Sequence, residues 1–345
     1  MTETLPLAYA TCSIGHGPDD TLPAKLKAIS QAGFKGIELS FPDILAYGNE
    51  LLGHQVSPNN YEELVKVSKE IRQLCQSNKL TVMMLQPFAH LEGWPRGSPD
   101  RDDAFKRAKC WISIMDAVGT DLLQVGSTDI PRERLSADAE TSVIEDLREL
   151  CDMLDQHGHK RLAYENWCWS THAPTWKNAW EVVRAVDRPN IGLCLDTFQT
   201  AGSEWADPTT ESGLIEDLPR ETLEKSFQQS MRELGNMVPA SKIYLLQISD
   251  AYKPSKPLAT DDTTEGQRPR ARWSSRLRPM PYDGGYLPIE SVTKAVLATG
   301  FRGWFSMEIF DKGPDGVGRR DISDMGSFAQ QAMRAMKKLL DQCSE

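Results

Sequence analysis

Residues 161–199 contain Arg161-Leu-Ala-Tyr-Glu165, a Trp-rich stretch, and then Ile191-Gly-Leu-Cys-Leu-Asp196-Thr-Phe-Gln199. Each of the two apolar runs ends in a carboxylate, which places that acid at the C-terminal rim of a strand. Between them Trp176, Ala179, Trp180 and Val183 recur at helical spacing, the apolar face of an amphipathic helix over residues 175–186. A strand, a helix and a second strand form a crossover, so the two strands run parallel. Two carboxylates raised at the same end of a parallel sheet repel unless a proton or a cation lies between them.

The same alternation extends in both directions. Towards the N-terminus, strands are expected at residues 7–14, 34–39, 80–85 and 121–126, with helices at 22–32, 61–77, 103–118 and 140–156. A polar loop rich in Gly, Asn and Pro is expected between the second strand and the helix at 61–77. Beyond Asp196 a loop leads to a helix at 221–237, a seventh strand at 242–249, a helix at 289–298, an eighth strand at 303–309 and a closing helix at 328–340. Eight strand-helix repeats over residues 1–345 favour an α/β fold, a single-domain (β/α)8 TIM barrel. Residues 251–287, rich in Pro, Arg, Asp and Thr, read as a loop insertion after strand seven that hangs over the barrel mouth. A doubly wound open sheet is the rival, but its Gly-rich dinucleotide turn is absent.

Composition narrows the function classes. A net charge of −10 over 345 residues argues against nucleic acid as a partner, since phosphate binding wants a basic face. No apolar run approaches the roughly 18 residues of a membrane span. Seven scattered cysteines with no C-x-x-C, and a start without a signal-like segment, fit reduced thiols and a cytoplasmic protein. A small-molecule partner is expected, with a homo-oligomer left open.

Barrel enzymes carry their chemistry on the C-terminal ends of the strands. Those ends offer Glu165, Asp196, Gln247 and Glu308, from strands five to eight. Four oxygen donors, three of them anionic, suit a divalent cation such as Mg²⁺, Mn²⁺ or Co²⁺; any one of the acids alone reads equally well as a rim salt bridge. For proton transfer, His90 after strand three and His16 after strand one are rim imidazoles, and Glu92 is a weaker candidate. The strand-two acid Glu38 is expected to orient its neighbours. His54, His157, His159 and His172 read as loop or surface residues. Trp167 and Trp169 follow Glu165 closely enough to wall a pocket, whereas Trp176 and Trp180 read as core.

Several segments resemble the fungal 3-dehydroshikimate dehydratases of the xylose-isomerase-like barrel superfamily. They include Leu85-Gln-Pro-Phe, Tyr164-Glu165-Asn-Trp-Cys-Trp-Ser, Arg188-Pro-Asn-Ile-Gly-Leu-Cys-Leu-Asp196-Thr-Phe, Ala271-Arg272-Trp-Ser and Ser306-Met-Glu308-Ile-Phe. The resemblance implies a metal site at Glu165, Asp196, Gln247 and Glu308. It also implies a carboxylated cyclohexenone substrate that loses water to give protocatechuate. The substrate carboxylate calls for a guanidinium on the insertion, which offers Arg268, Arg270, Arg272, Arg276 and Arg278; Arg276 is the main candidate, with Arg272, Ser275 and Trp167 as further contacts, while Arg268 and Arg270 read as solvated loop residues. Relatives often hold His three residues after the strand-six aspartate, and here that position is Gln199, an amide that cannot serve as a base. A metal-dependent sugar or cyclic-ketone isomerase or epimerase, and a catalytically silent ligand-binding relative, are the alternative readings.

Overall fold

The computed structural model describes residues 5–15, 17, 19–261, 266–317 and 324–344. Eight parallel strands close into a barrel. They are β1 (Leu7–Ala10), β2 (Gly36–Ser40), β3 (Thr81–Phe88), β4 (Leu122–Gly126), β5 (Arg161–Glu165), β6 (Ile191–Asp196), β7 (Ile243–Ile248) and, past the short β8 (Leu277–Arg278), β9 (Trp304–Met307). β8 pairs antiparallel with β10 (Phe310–Asp311) as a separate ribbon. The (β/α)8 barrel expected from the sequence is the fold observed.

Strand alternation explains what fills the barrel. Ala163, Cys194 and Leu245 on β5, β6 and β7 join Ala8, Met83, Met84 and Leu122 in a small buried apolar cluster. Two residues further along the same strands the side chains point the same way again, which brings up Glu165, Asp196 and Gln247. All three are almost fully buried. Asp196 pairs in register with Gln247, and Gln247 with Ser306, so Glu308 follows just past the end of β9. The outward-facing residues of the strands, such as Leu162, Tyr164, Leu193 and Leu195, instead join the large cluster packed against the surrounding helices.

Three segments differ from the sequence expectation. Residues Phe41–Leu52 form a helix where a polar loop was expected. Ser40 caps it by accepting from the Asp43 N–H at 3.3 Å, and Gly53 closes it in the left-handed conformation. Its internal Gly48 reads as a turn residue, but a Cβ there would lie 3.3 Å from Val56 and Val67, so the glycine permits close packing. A second helix, Thr197–Glu204, follows β6 directly in place of a loop, and Asp196 caps it through the Phe198 and Gln199 N–H groups. Within 251–287 lie the short helix Pro269–Ser274 and β8. Among the described residues no helix is long and apolar enough to cross a membrane.

Candidate metal centre and its cavity

At the C-terminal end of the barrel, one ligand atom each from Glu165, Asp196 and Glu308 lies within 4.8 Å of the others. Burial pushes all three acids up. Glu165 rises to about 8, with Asp196 adding like-charge repulsion. Asp196 is also raised by burial, against the pull of Arg278, and Glu308 is raised well above its usual range. Three buried carboxylates with ligand atoms this close are oxygen donors of the kind that match hard divalent ions.

Each carboxylate is oriented from the strands. Gln124 on β4 and the Trp167 indole donate to Glu165 Oε2, the latter at 3.1 Å. The N–H groups of Phe198 and Gln199 donate to Asp196 Oδ1 at 2.6 and 3.3 Å. Gln86 on β3 and Gln247 donate to Glu308 Oε1 at 3.2 and 3.1 Å. Gln247 differs from the expected oxygen ligand. Its amide NH₂ faces Glu308 and Glu38 (2.7 Å to Glu38), and its oxygen accepts from the Cys194 thiol at 3.3 Å. A half-turn of the amide would exchange the two ends. Glu38 thus takes the orienting position expected of it, and burial lifts its carboxyl to about 7.

Above the cluster opens a cavity of about 1090 Å³. Its lining includes Glu165, Glu308, Trp167, Gln199, Ser275 and His90, all expected at the site. Gln199 accepts from the Cys168 N–H at 2.9 Å through its amide oxygen. His90 pairs with Asp129 at 2.8 Å and is about half exposed. Trp167 stacks on Trp169 with ring centroids 5.1 Å apart. It packs so closely on β4 that a Cβ at Gly126 would lie 2.1 Å from its ring.

Other expected site residues lie elsewhere. Glu92 is fully buried behind the cavity wall, where it accepts from the Thr128 N–H at 2.8 Å and the Tyr164 hydroxyl at 3.1 Å. His172, expected in a loop or on the surface, joins that network 2.9 Å from the Tyr164 hydroxyl, and burial lowers its pKa to about 4. Arg272 turns away, its buried guanidinium donating to the carbonyls of Asp261, Gln267 and Ala259. Arg276 lines a separate small cavity with Leu258 and Asp315. His16 lies outside the described residues. The insertion instead offers the main cavity Arg268 and Arg278. Arg278, one of the five arginines the insertion offers, is the one that reaches the acids. It ion-pairs with Asp196 at 2.5 Å and Glu308 at 3.1 Å, a contact made by folding β8 against β10 rather than by any local motif.

A family model, the xylose isomerase-like TIM barrel, matches residues 26–339. The chain belongs to this family. Within the xylose isomerase-like barrels it is similar to the 3-dehydroshikimate dehydratase of Neurospora crassa, at 31% identity over 315 residues, covering 89% of this chain and 85% of that protein. It is also similar to the 3-dehydroshikimate dehydratase of Pseudomonas aeruginosa, at 32% identity over 293 residues, but spans only 37% of that protein's length. Among solved structures, a xylose isomerase-like TIM barrel/4-hydroxyphenylpyruvate dioxygenase fusion protein superposes with a TM-score of 0.71 at 27% identity. That match covers 99% of this chain and 43% of the fusion.

Proposed function

We propose that this chain is a divalent-metal-dependent 3-dehydroshikimate dehydratase, a hydro-lyase. The observation that carries the reading is the buried carboxylate triad opening into a cavity, in a chain similar along most of its length to a dehydratase of that name. Glu165, Asp196 and Glu308 hold the cation, with Gln247 as a fourth oxygen donor once its amide is turned. A cation bound there supplies Lewis acidity toward the substrate ketone. The chain's own groups do the rest. His90 is the imidazole lining the cavity among the described residues. Held by Asp129, it takes the proton from the carbon between the ketone and the departing hydroxyl. Gln199, fixed by the Cys168 N–H, positions the ring. Arg268 and Arg278 meet the substrate carboxylate in place of Arg276 and Arg272. The hydroxyl leaves as water with that proton, and the shift of a further ring proton to the former ketone oxygen gives the aromatic acid.

Incubation of Mn²⁺-loaded protein with 3-dehydroshikimate, with the product identified by NMR, tests this reading. Protocatechuate is the expected product. Exchange of ring protons with solvent without loss of water would favour the isomerase or epimerase reading. Binding with neither outcome would favour a silent relative.

A further inference from the structure

Three carboxylates and one guanidinium meet at the base of the cavity, Glu165, Glu308 and Arg278 in its lining and Asp196 fully buried beside them, and their atoms are paired unevenly. One oxygen of each acid is held by a donor fixed in the barrel: Glu165 Oε2, Asp196 Oδ1 and Glu308 Oε1. The second oxygens are not held by these donors. Arg278 Nη2 already donates to two of these, Asp196 Oδ2 at 2.5 Å and Glu308 Oε2 at 3.1 Å.

The guanidinium does not depend on the acids for its place. Its Nε and Nη2 reach Ser249 Oγ at 3.0 and 2.7 Å, and Nη1 reaches Ser274 Oγ at 3.4 Å. The rings of Phe198 and Phe310 lie 4.7 and 5.2 Å from its carbon, within the range of a cation–π contact. Both Arg278 and Ser274 line the cavity. Three negative carboxylates against one guanidinium leave two formal negative charges, which a divalent cation balances without expelling the arginine from the site.

We propose that Arg278 and the divalent cation are alternative partners for Asp196 Oδ2 and Glu308 Oε2, so that cation binding frees the Nη2 donor to receive the carboxylate of an anionic substrate. Arg278 holds the acids together while the cation is away and becomes an anion receptor once it arrives. Cation and carboxylate then bind cooperatively through one side chain, and by linkage each must tighten the other by the same factor. This rests on the metal reading above.

Calorimetric titration of Mn²⁺ into chelator-treated protein, with and without benzoate as a planar carboxylate probe, tests it. In the wild type Mn²⁺ and benzoate should each tighten the other, by about 5- to 150-fold. In Arg278→Met, Mn²⁺ should bind tighter than in the wild type, and benzoate binding should no longer respond to it. Arg278→Lys, which keeps the charge but loses the planar fork, should show the same lost response if the Met variant does not fold. Unchanged Mn²⁺ affinity in Arg278→Met overturns the proposal and leaves the metal site standing. So does wild-type benzoate binding that is indifferent to Mn²⁺, or a benzoate response that survives in both variants. Failure of Mn²⁺ to bind the wild type overturns the metal site, and the proposal with it.

Discussion

A buried acid cluster at the base of the cavity and the single buried acid Glu92 behind its wall are raised alike but differ in their neighbours. On the floor, Glu165 is pushed up to about 8; behind the wall, Glu92 is pushed up to about 7. Burial is the largest cause in both cases. The difference lies in the neighbours. Glu92 faces the Thr128 N–H, the Tyr164 hydroxyl and His172, with Asp146 adding a weaker like-charge push, and an acid so placed is relieved by keeping its proton. Glu165 faces two further acids, each with a ligand atom within 4.8 Å of the others, and with Glu308 it lines an open cavity. A raised carboxyl therefore marks burial, whereas several converging oxygens with no full complement of positive charge mark a site.

Substitutions can break this contrast. Glu165→Ala or Glu308→Ala should abolish both bound cation, read by elemental analysis, and turnover, while Glu92→Gln should leave cation stoichiometry at the wild-type value. His90→Ala should lower kcat by about 10²–10⁴-fold; an unchanged rate would shift the proton transfer to another group. Gln124→Leu, which removes one of the two donors to Glu165 Oε2, should weaken cation binding by about 10–100-fold, measured by competition with a chelator. Arg268→Ala should raise KM for a carboxylated substrate, with a lost charge-assisted hydrogen bond worth about 1.5–3 kcal/mol, while Arg276→Ala should leave KM unchanged.

Glu92→Gln should act least on the site and mainly on stability. The folded-state pKa of Glu92 lies above its unfolded value, so between roughly pH 4.5 and 7 the native state binds more protons than the unfolded chain. Wild-type stability therefore falls as pH rises through that window, by up to about 3 kcal/mol at 1.36 kcal/mol per pKa unit. Glu92→Gln should flatten this slope in urea unfolding curves recorded across the window. An unaltered slope would show that the wall acid is not the group that titrates.

Much of the floor was legible in the sequence because it follows from periodicity. An acid that ends an apolar run in a barrel strand must point inward at the C-terminal rim, as Glu165 and Asp196 do, and residues two positions earlier must form the plug beneath. The wall was not legible. Glu92 follows β3 just as His90 does, yet the chain turns between them, and His90 itself adopts a positive φ of 55°; order along the sequence does not say which side of a loop each residue takes. Arg278 was one of five candidate arginines on the insertion, and nothing local singled it out. Its pairing with Asp196 spans 82 positions and depends on the β8–β10 ribbon, a tertiary contact with no local signature. The helix Phe41–Leu52 was masked by Gly48 and Asn49, whose roles there are packing and a hydrogen bond from the Val56 N–H to the Asn49 side chain at 2.6 Å.

The most direct measurement removes the cation from the floor and returns it. Protein stripped by a chelator, verified as metal-free by elemental analysis and mixed with 3-dehydroshikimate, should form no aromatic product by absorbance until Mn²⁺, Co²⁺ or Mg²⁺ is added, and should then form protocatechuate. Turnover at the full rate in the metal-free protein, or none with any of the three cations restored, would contradict the assignment of Glu165, Asp196 and Glu308 as the metal centre of a dehydratase.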